Sequence, residues 1–196
     1  MSKRTPARAG RPRDENVHRA ILDAARDLIS EAGYVAFSIE GVAARAGVAK
    51  QSIYRRWSSK GALLVDLYMD GLELPGSSAS QGFKEDLLAL LLQTTKRVQD
   101  PAFANILKSA MVEAQAEPEM RELVLLKIVE PRREAARHVI ERGIQSGEVP
   151  EDLDVEMMLD FVFGAVWFNL LFGASGLTNK FAHRAVKTIE LLMTAR

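Results

Sequence analysis

The stretch "GVAKQSIYRRW", residues 47–57, decides how the chain is read. Val48, Ile53, Tyr54 and Trp57 are packing residues, and Lys50, Gln51, Ser52, Arg55 and Arg56 between them all carry hydrogen-bonding groups. A solvated amphipathic helix would look like this, and so would a helix whose polar face touches something. The residues on either side narrow the choice. Upstream, Val17, Ala20, Ile21, Ala24, Ala25, Leu28 and Ala32 share one face at 3.6-residue spacing, and Gly33 ends that helix. Ser38 is an N-cap for a second, short helix with Ile39, Val42, Ala43 and Ala46 inside. Gly47 stands where a sharp turn needs a residue without Cβ. A third helix is predicted over residues 49–57. A fourth follows Ser58 or Ser59, with Leu63, Leu64, Leu67 and Tyr68 facing inward.

Two short helices joined by a glycine turn and packed on a longer one form a helix-turn-helix. Lys50, Gln51 and Ser52 then fall in the first turn of the second short helix, where this motif presents residues to base edges. Arg55 and Arg56 come one turn later, within reach of bases or phosphates.

Charge agrees with that reading. The 196 residues carry no net charge, yet residues 1–60 hold 12 Lys/Arg against 6 Asp/Glu, a net +6. The rest holds 14 against 20, a net −6. A basic first third on an acidic remainder fits contact with a polyanion, or a charged solvated tail. Hydrophobic residues make up 47% and charged residues 27%, an ordinary globular profile. The absence of cysteine excludes disulfides, thiolate metal sites and a cysteine nucleophile. The first residues lack an apolar signal region, and a cytoplasmic location is expected.

Beyond residue 60 the pattern stays helical. "ELPGSSASQG", residues 73–82, is the clearest break and reads as a linker. Four parts result: a basic arm over residues 1–13, a helix-turn-helix domain over 14–72, the linker over 73–82, and a helical domain over 83–196. Helices are predicted over 83–99, over 101–116 with Asp100 as cap, and from Pro118 to about Gln145 with a kink at Pro131. "SGEVPEDLD" is a loop, and two last helices cover 155–174 and 178–194. The class is all-α, about nine helices in total. The run Met157–Phe172 holds Asp160 and Asn169 and is short for a membrane span, so no membrane partner is expected.

The segment "SIEGVAARAGVAKQSIYRRWSSKGALL", residues 38–64, resembles the DNA-binding domain of the TetR family of bacterial transcriptional regulators. The matching features are Ser38, Ala43, the Ala46-Gly47-Val48 turn, Tyr54, Trp57 and Ser59-Lys60, and the close match covers residues 15–68. Ala49 replaces the commoner Ser at the start of the recognition helix, and Trp57 replaces a smaller aromatic, which should only enlarge the core plug. The resemblance implies DNA contacts from Ser38, Lys50, Gln51, Ser52, Tyr54, Arg55, Arg56, Ser59 and Lys60. Tyr54 and Lys60 would reach phosphates. Lys50, Gln51, Ser52 and Arg55 would meet bases or backbone. The arm, with Arg4, Arg8, Arg11 and Arg13, would lie in a minor groove or merely solubilise.

The resemblance also implies a homodimer on an operator, released by a small effector. The expected interface residues are Gly164, Phe168, Asn169, Phe172, Phe181, Ala185, Ile189 and Leu192 on the last two helices. Gly164 and Gly173 allow close helix approach, or mark a bend or a helix end. The expected pocket residues are Phe103, Leu107, Met111, Leu123, Phe161 and Trp167. No charged pair points into such a pocket by sequence, so the effector is expected to be apolar or amphipathic. The alternative is a DNA-binding dimer without an effector. An enzyme has little support. His18, His138 and His183 are far apart, and no phosphate loop, metal motif or nucleophile elbow is present. No cofactor and no metal are expected.

Overall fold

The computed structural model describes residues 11–71, 81–173 and 176–194. Arg4 and Arg8 of the arm, and nearly all of the linker, lie outside the described residues. Every regular element among the described residues is a helix. We number them α1 (Arg11–Ala36), α2 (Ile39–Ala46), α3 (Lys50–Tyr54), α4 (Lys60–Met69), α5 (Phe83–Val98) and α6 (Pro101–Ala116). Then come α7 (residues 118–145), α8 (Val155–Phe172) and α9 (Asn179–Thr194).

Helix α1 starts at Arg11, so Arg11 and Arg13 belong to a helix and not to the arm. Gly33 interrupts it with φ of 72° and ψ of 179°, as the glycine stop predicts. Ser38 accepts from the Gly41 amide at 3.1 Å and caps α2, a bond that contributes about 1 kcal/mol. Gly47 is left-handed, with φ of 66°, and turns the chain into α3. Regular α-helix in α3 ends at Tyr54, and Arg56 and Trp57 both donate their amides to the Ile53 carbonyl in a tightened turn. The predicted end at residue 57 is therefore three residues late. The core beneath is Ile21, Ala25, Ile29, Val42, Ile53 and Leu63, all buried. Each fully buried Ile or Leu contributes about 1.5–3 kcal/mol.

Helix α4 leaves the head and enters the second unit. It packs on α6 and on the first turns of α7, while α9 packs on α5. Gly61 is the point of closest approach. A Cβ there would stand 2.4 Å from Met120 Sδ of α7.

The irregularity expected at Pro131 takes the form of a π turn just before it. The helix takes a wider π turn over Leu125–Val129, and the Glu130 amide bonds to the Leu125 carbonyl, five residues back. Proline lacks an amide to donate and its ring crowds the preceding turn; one extra residue in that turn relieves both.

Helix α8 departs from expectation in two ways. Its 18 residues and mean hydropathy of 1.6 make it long and apolar enough to cross a membrane by length and composition alone. It is also far from buried on every side, for only 33% of it is covered within the chain. Its two acids sit in ion pairs with α7. Asp160 binds Arg133 at 2.7 Å, and Glu156 binds Arg133 and Arg137. Charged groups tied to a neighbouring surface helix fit a helix lying on a protein core in water. Gly173, left-handed with φ of 66°, ends the helix, one of the two roles expected for it. Gly164 faces open space, with nothing within 4 Å of a Cβ there.

Candidate nucleic-acid interface

The exposed side of α3 carries polar and charged groups. Lys50, Gln51, Tyr54 and Arg55 fall on one stripe of α3 and are all exposed, Tyr54 at 53%. Ile53 and Trp57 anchor the opposite side of the helix in the core. Gln51 and Arg55 have no side-chain partner among the described residues, and two donors with no internal bond to lose are ready for an external one.

The other cations whose side chains are described in the head are engaged. Lys50 Nζ lies 2.8 Å from Glu40 Oε1, and that hydrogen bond holds the Glu40 carboxyl below its ordinary range. Arg45 pairs with Glu31 at 2.6 Å. Arg19 and Arg26 both bind Asp70 at 2.7 Å, at the end of α4. Burial pushes Asp70 up, but the two guanidinium bonds outweigh it and leave the carboxyl below its usual value. Of these acids only Asp70 lies outside the first third, so the pairs with Glu40 and Glu31 are already counted in its net +6.

Arg56 differs from its sequence assignment. Its guanidinium turns inward, donates to the Ser52 carbonyl at 2.8 Å and pairs with Asp14 at the start of α1. It braces α3 against α1, and only 13% of its side chain is exposed. Ser52 is half-buried beside it. Ala49 precedes α3 without a side-chain cap, as its identity dictates. Ser59 accepts from the Ala62 amide at 3.1 Å and caps α4. Lys60 folds over aromatic rings, with Nζ 4.0 Å from the Tyr34 centroid and 5.5 Å from that of Phe37. Burial there lowers its pKa.

Trp57 does more than plug the core. Its indole Nε1 donates to Asp66 at 2.8 Å, and its ring stacks on His18 at 5.0 Å. That link joins α1, the end of α3 and α4. Sequence reading missed it; a Trp in place of a smaller aromatic, with an acid nine residues on, was the available signal.

A second feature lies at the far end of α4. A cavity of about 350 Å³ opens between α4, α5, the start of α6 and α7. Of the expected pocket residues only Phe103 lines it. Leu107 is buried in the core, Met111, Leu123 and Trp167 are half-buried elsewhere, and Phe161 is 61% exposed on α8. The cavity wall is also more charged than expected. Lys96, Arg97 and Arg132 all line it. Arg97 donates to the Tyr68 carbonyl at 2.6 Å, that of Asp70 at 3.1 Å and that of Gly71 at 3.2 Å. Three orphan carbonyls at the end of α4 are thereby satisfied by one side chain.

The expected interface residues divide. Phe168 and Phe172 are 56% and 73% exposed, joined by Phe161 and Met157 on the same stripe of α8, and Leu192 is exposed on α9. Phe181 and Ala185 are half-buried. Ile189 is buried within the chain, so it is core. Asn169 donates to the Ala165 carbonyl at 2.9 Å, an intrahelical bond.

Comparison with known proteins covers both units. Residues 21–67 match the family described as bacterial regulatory proteins, tetR family. Residues 80–189 match the tetracyclin repressor-like C-terminal domain. The HTH-type transcriptional regulator YdeS of Bacillus subtilis is 32% identical, over 84% of this chain and 83% of its own. The fatty acid metabolism regulator protein of the same organism is 26% identical, over 74% and 77%. The crystal structure of FadR from Bacillus subtilis in complex with stearoyl-CoA aligns with a TM-score of 0.72 at 22% identity, over 91% of this chain and 99% of that one.

Proposed function

Because the chain belongs to the TetR family and is a DNA-binding helix-turn-helix transcriptional regulator, we propose that it is a homodimeric repressor released from its operator by a small molecule. The observation that carries this reading is the double grip on α4. Its first turn abuts Met120 of α7 at Gly61, and its last carbonyls are held by Arg97, a wall residue of the cavity. A ligand that moves the cavity wall must therefore move α4. Helix α4 in turn holds the reading head through Trp57–Asp66 and through Asp70 with Arg19 and Arg26. Two heads displaced in a dimer change their separation, and operator affinity falls. That the related fold of FadR holds stearoyl-CoA supports a ligand in this one too.

In this reading Gln51, Tyr54 and Arg55 form the contact face, with Lys50 available once it leaves Glu40. Ser38, Ser59 and Lys60 flank it near phosphates. The exposed stripe of α8, with Phe161, Phe168 and Phe172, and Leu192 of α9 are buried against a second copy. Exposed apolar surface on this scale marks an interface, and a two-fold dimer covers it with itself. The protein works in the cytoplasm, with its operator.

Selection of bound DNA from a random pool by the full chain tests the proposal. Two inverted half-sites about one helical turn apart, or a small multiple of that, are expected. Enrichment of a single unrepeated site, or of none, would overturn it. A companion expectation concerns Glu40. Glu40→Gln removes an anion from the DNA-facing side and frees Lys50, so affinity for DNA should rise about two- to fivefold at low salt, and less at high salt. Titration at two salt concentrations reads this; an unchanged or lower affinity counts against Lys50 at the contact face.

A further inference from the structure

We infer that the ligand of the α4–α5–α7 cavity is a small organic anion with an apolar body, its carboxylate or phosphate held by Arg97 and Arg132. This inference rests on the effector reading above and names the chemistry of the effector. Among the described residues the cavity wall is net cationic. Lys96, Arg97 and Arg132 line it, and none of the three forms an ion pair among the described residues. The one acid among its described wall residues, Asp100, is exposed and uses Oδ1 to cap the Ala102 amide at 2.9 Å. Among the described residues Arg97 bonds only to neutral carbonyls, and its buried Nε has no hydrogen-bond partner. A buried donor left unmade is costly, and a charged acceptor is the partner a guanidinium binds best. Arg132 stands close by, its Cζ 5.2 Å from the Tyr68 centroid, while that of Arg97 is 5.4 Å from the same ring. Both guanidinium groups lie against the Tyr68 ring, and the charge of Arg132 acts on Arg97. Burial and then the charge of Arg132 are among the forces that lower the Arg97 pKa. An anion between them would relieve both.

The body of the ligand follows from the remaining wall. Phe103, Leu90 and the Tyr68 ring give an apolar surface, and about 350 Å³ accommodates a molecule of roughly eight to thirteen heavy atoms. The position gives the consequence. Arg97 is the residue that ties down the end of α4, so an anion on its guanidinium competes with the Tyr68, Asp70 and Gly71 carbonyls for the same donors. Occupancy is then felt directly by the helix that carries the reading head.

Octyl compounds of different charge test this on the full chain. Sodium octanoate and octyl phosphate represent the two anion sources; octanol and octylammonium are the controls. Calorimetric titration should give at least tenfold tighter binding for one or both anions than for octanol or octylammonium. Arg132→Gln should weaken the anion about tenfold while leaving octanol unchanged, and Arg97→Gln should do the same if it folds. Preference for the alcohol or the amine overturns the inference, as does anion affinity that survives Arg132→Gln, or no binding by any of the four. Operator retention with the same compounds separates this from the effector reading. Release by octanol or octylammonium alone would support an effector and sink the anion. Anion binding that leaves operator affinity unchanged would support the anion and sink the effector.

Discussion

Phe161→Asp combined with Phe168→Asp is expected to turn the dimer into a monomer and to lower operator affinity at least about a hundredfold. The two positions are seven residues apart on α8, on one stripe with Met157, Gly164, Leu171 and Phe172. Both rings are more than half exposed in the single chain, so neither holds the protomer together. Placed across a two-fold axis, the substitutions would bury four carboxylates against an apolar partner. Each costs several kcal/mol to desolvate without a cation, far beyond what an interface can absorb. Dimer loss then converts two linked half-site contacts into one, and the effective-concentration advantage of about 10²–10⁴ disappears. Light scattering reads the mass and a fluorescence titration reads the operator. A variant that stays dimeric would exclude this face. Ile189 gives the contrast. It belongs to the same sequence pattern but is buried within the chain, so Ile189→Asp should unfold the protomer and not merely split the pair.

That contrast shows what periodicity can and cannot carry. Spacing of apolar residues separates inside from outside of a helix, which is why Ile21, Ala25, Ile53, Leu63 and Leu64 were all legible as core. Local chemistry was equally plain. Ser38, Gly47, Ser59 and Asp100 act within four residues of themselves, and each does what its type and position require. Periodicity does not tell which covered face is covered by the same chain, so Ile189 and Phe168 looked alike. Nor does it show where long cationic side chains end. Arg56 turns to Asp14 across 42 positions, and Arg97 reaches the end of α4 across 26 to 29. The cavity was illegible for that reason. It forms where four helices converge, and its cations are ordinary surface residues on each helix taken alone. Pro131 shows a subtler limit. The sequence says that a turn must change near Pro131, but not that the change is a π turn over Leu125–Val129.

The largest effect on DNA specificity is expected at Arg55 and Gln51. Arg55→Ala should relax the preference at one base pair per half-site, and Gln51→Ala at another. A bidentate contact contributes about 1–3 kcal/mol of discrimination, so each loss is about 5- to 150-fold between the best and the wrong base. In a two-fold dimer each substitution acts twice. Both side chains are exposed and unpartnered among the described residues, so their removal leaves the head intact and alters only what it touches. Tyr54→Phe is the control on the same stripe. Its ring remains and only a hydroxyl is lost, so binding to all sequences should fall alike, by a few-fold. Arg56→Ala is the second control. Its guanidinium braces α3 against Asp14 of α1, so thermal stability should drop while base preference stays. Selection from a random pool on the four variants distinguishes these roles in one experiment. Unchanged preferences in both Arg55→Ala and Gln51→Ala would remove the exposed stripe of α3 as the reading face. A changed preference in Arg56→Ala would mean that the brace opens on DNA and that the free and bound heads differ at the start of α1.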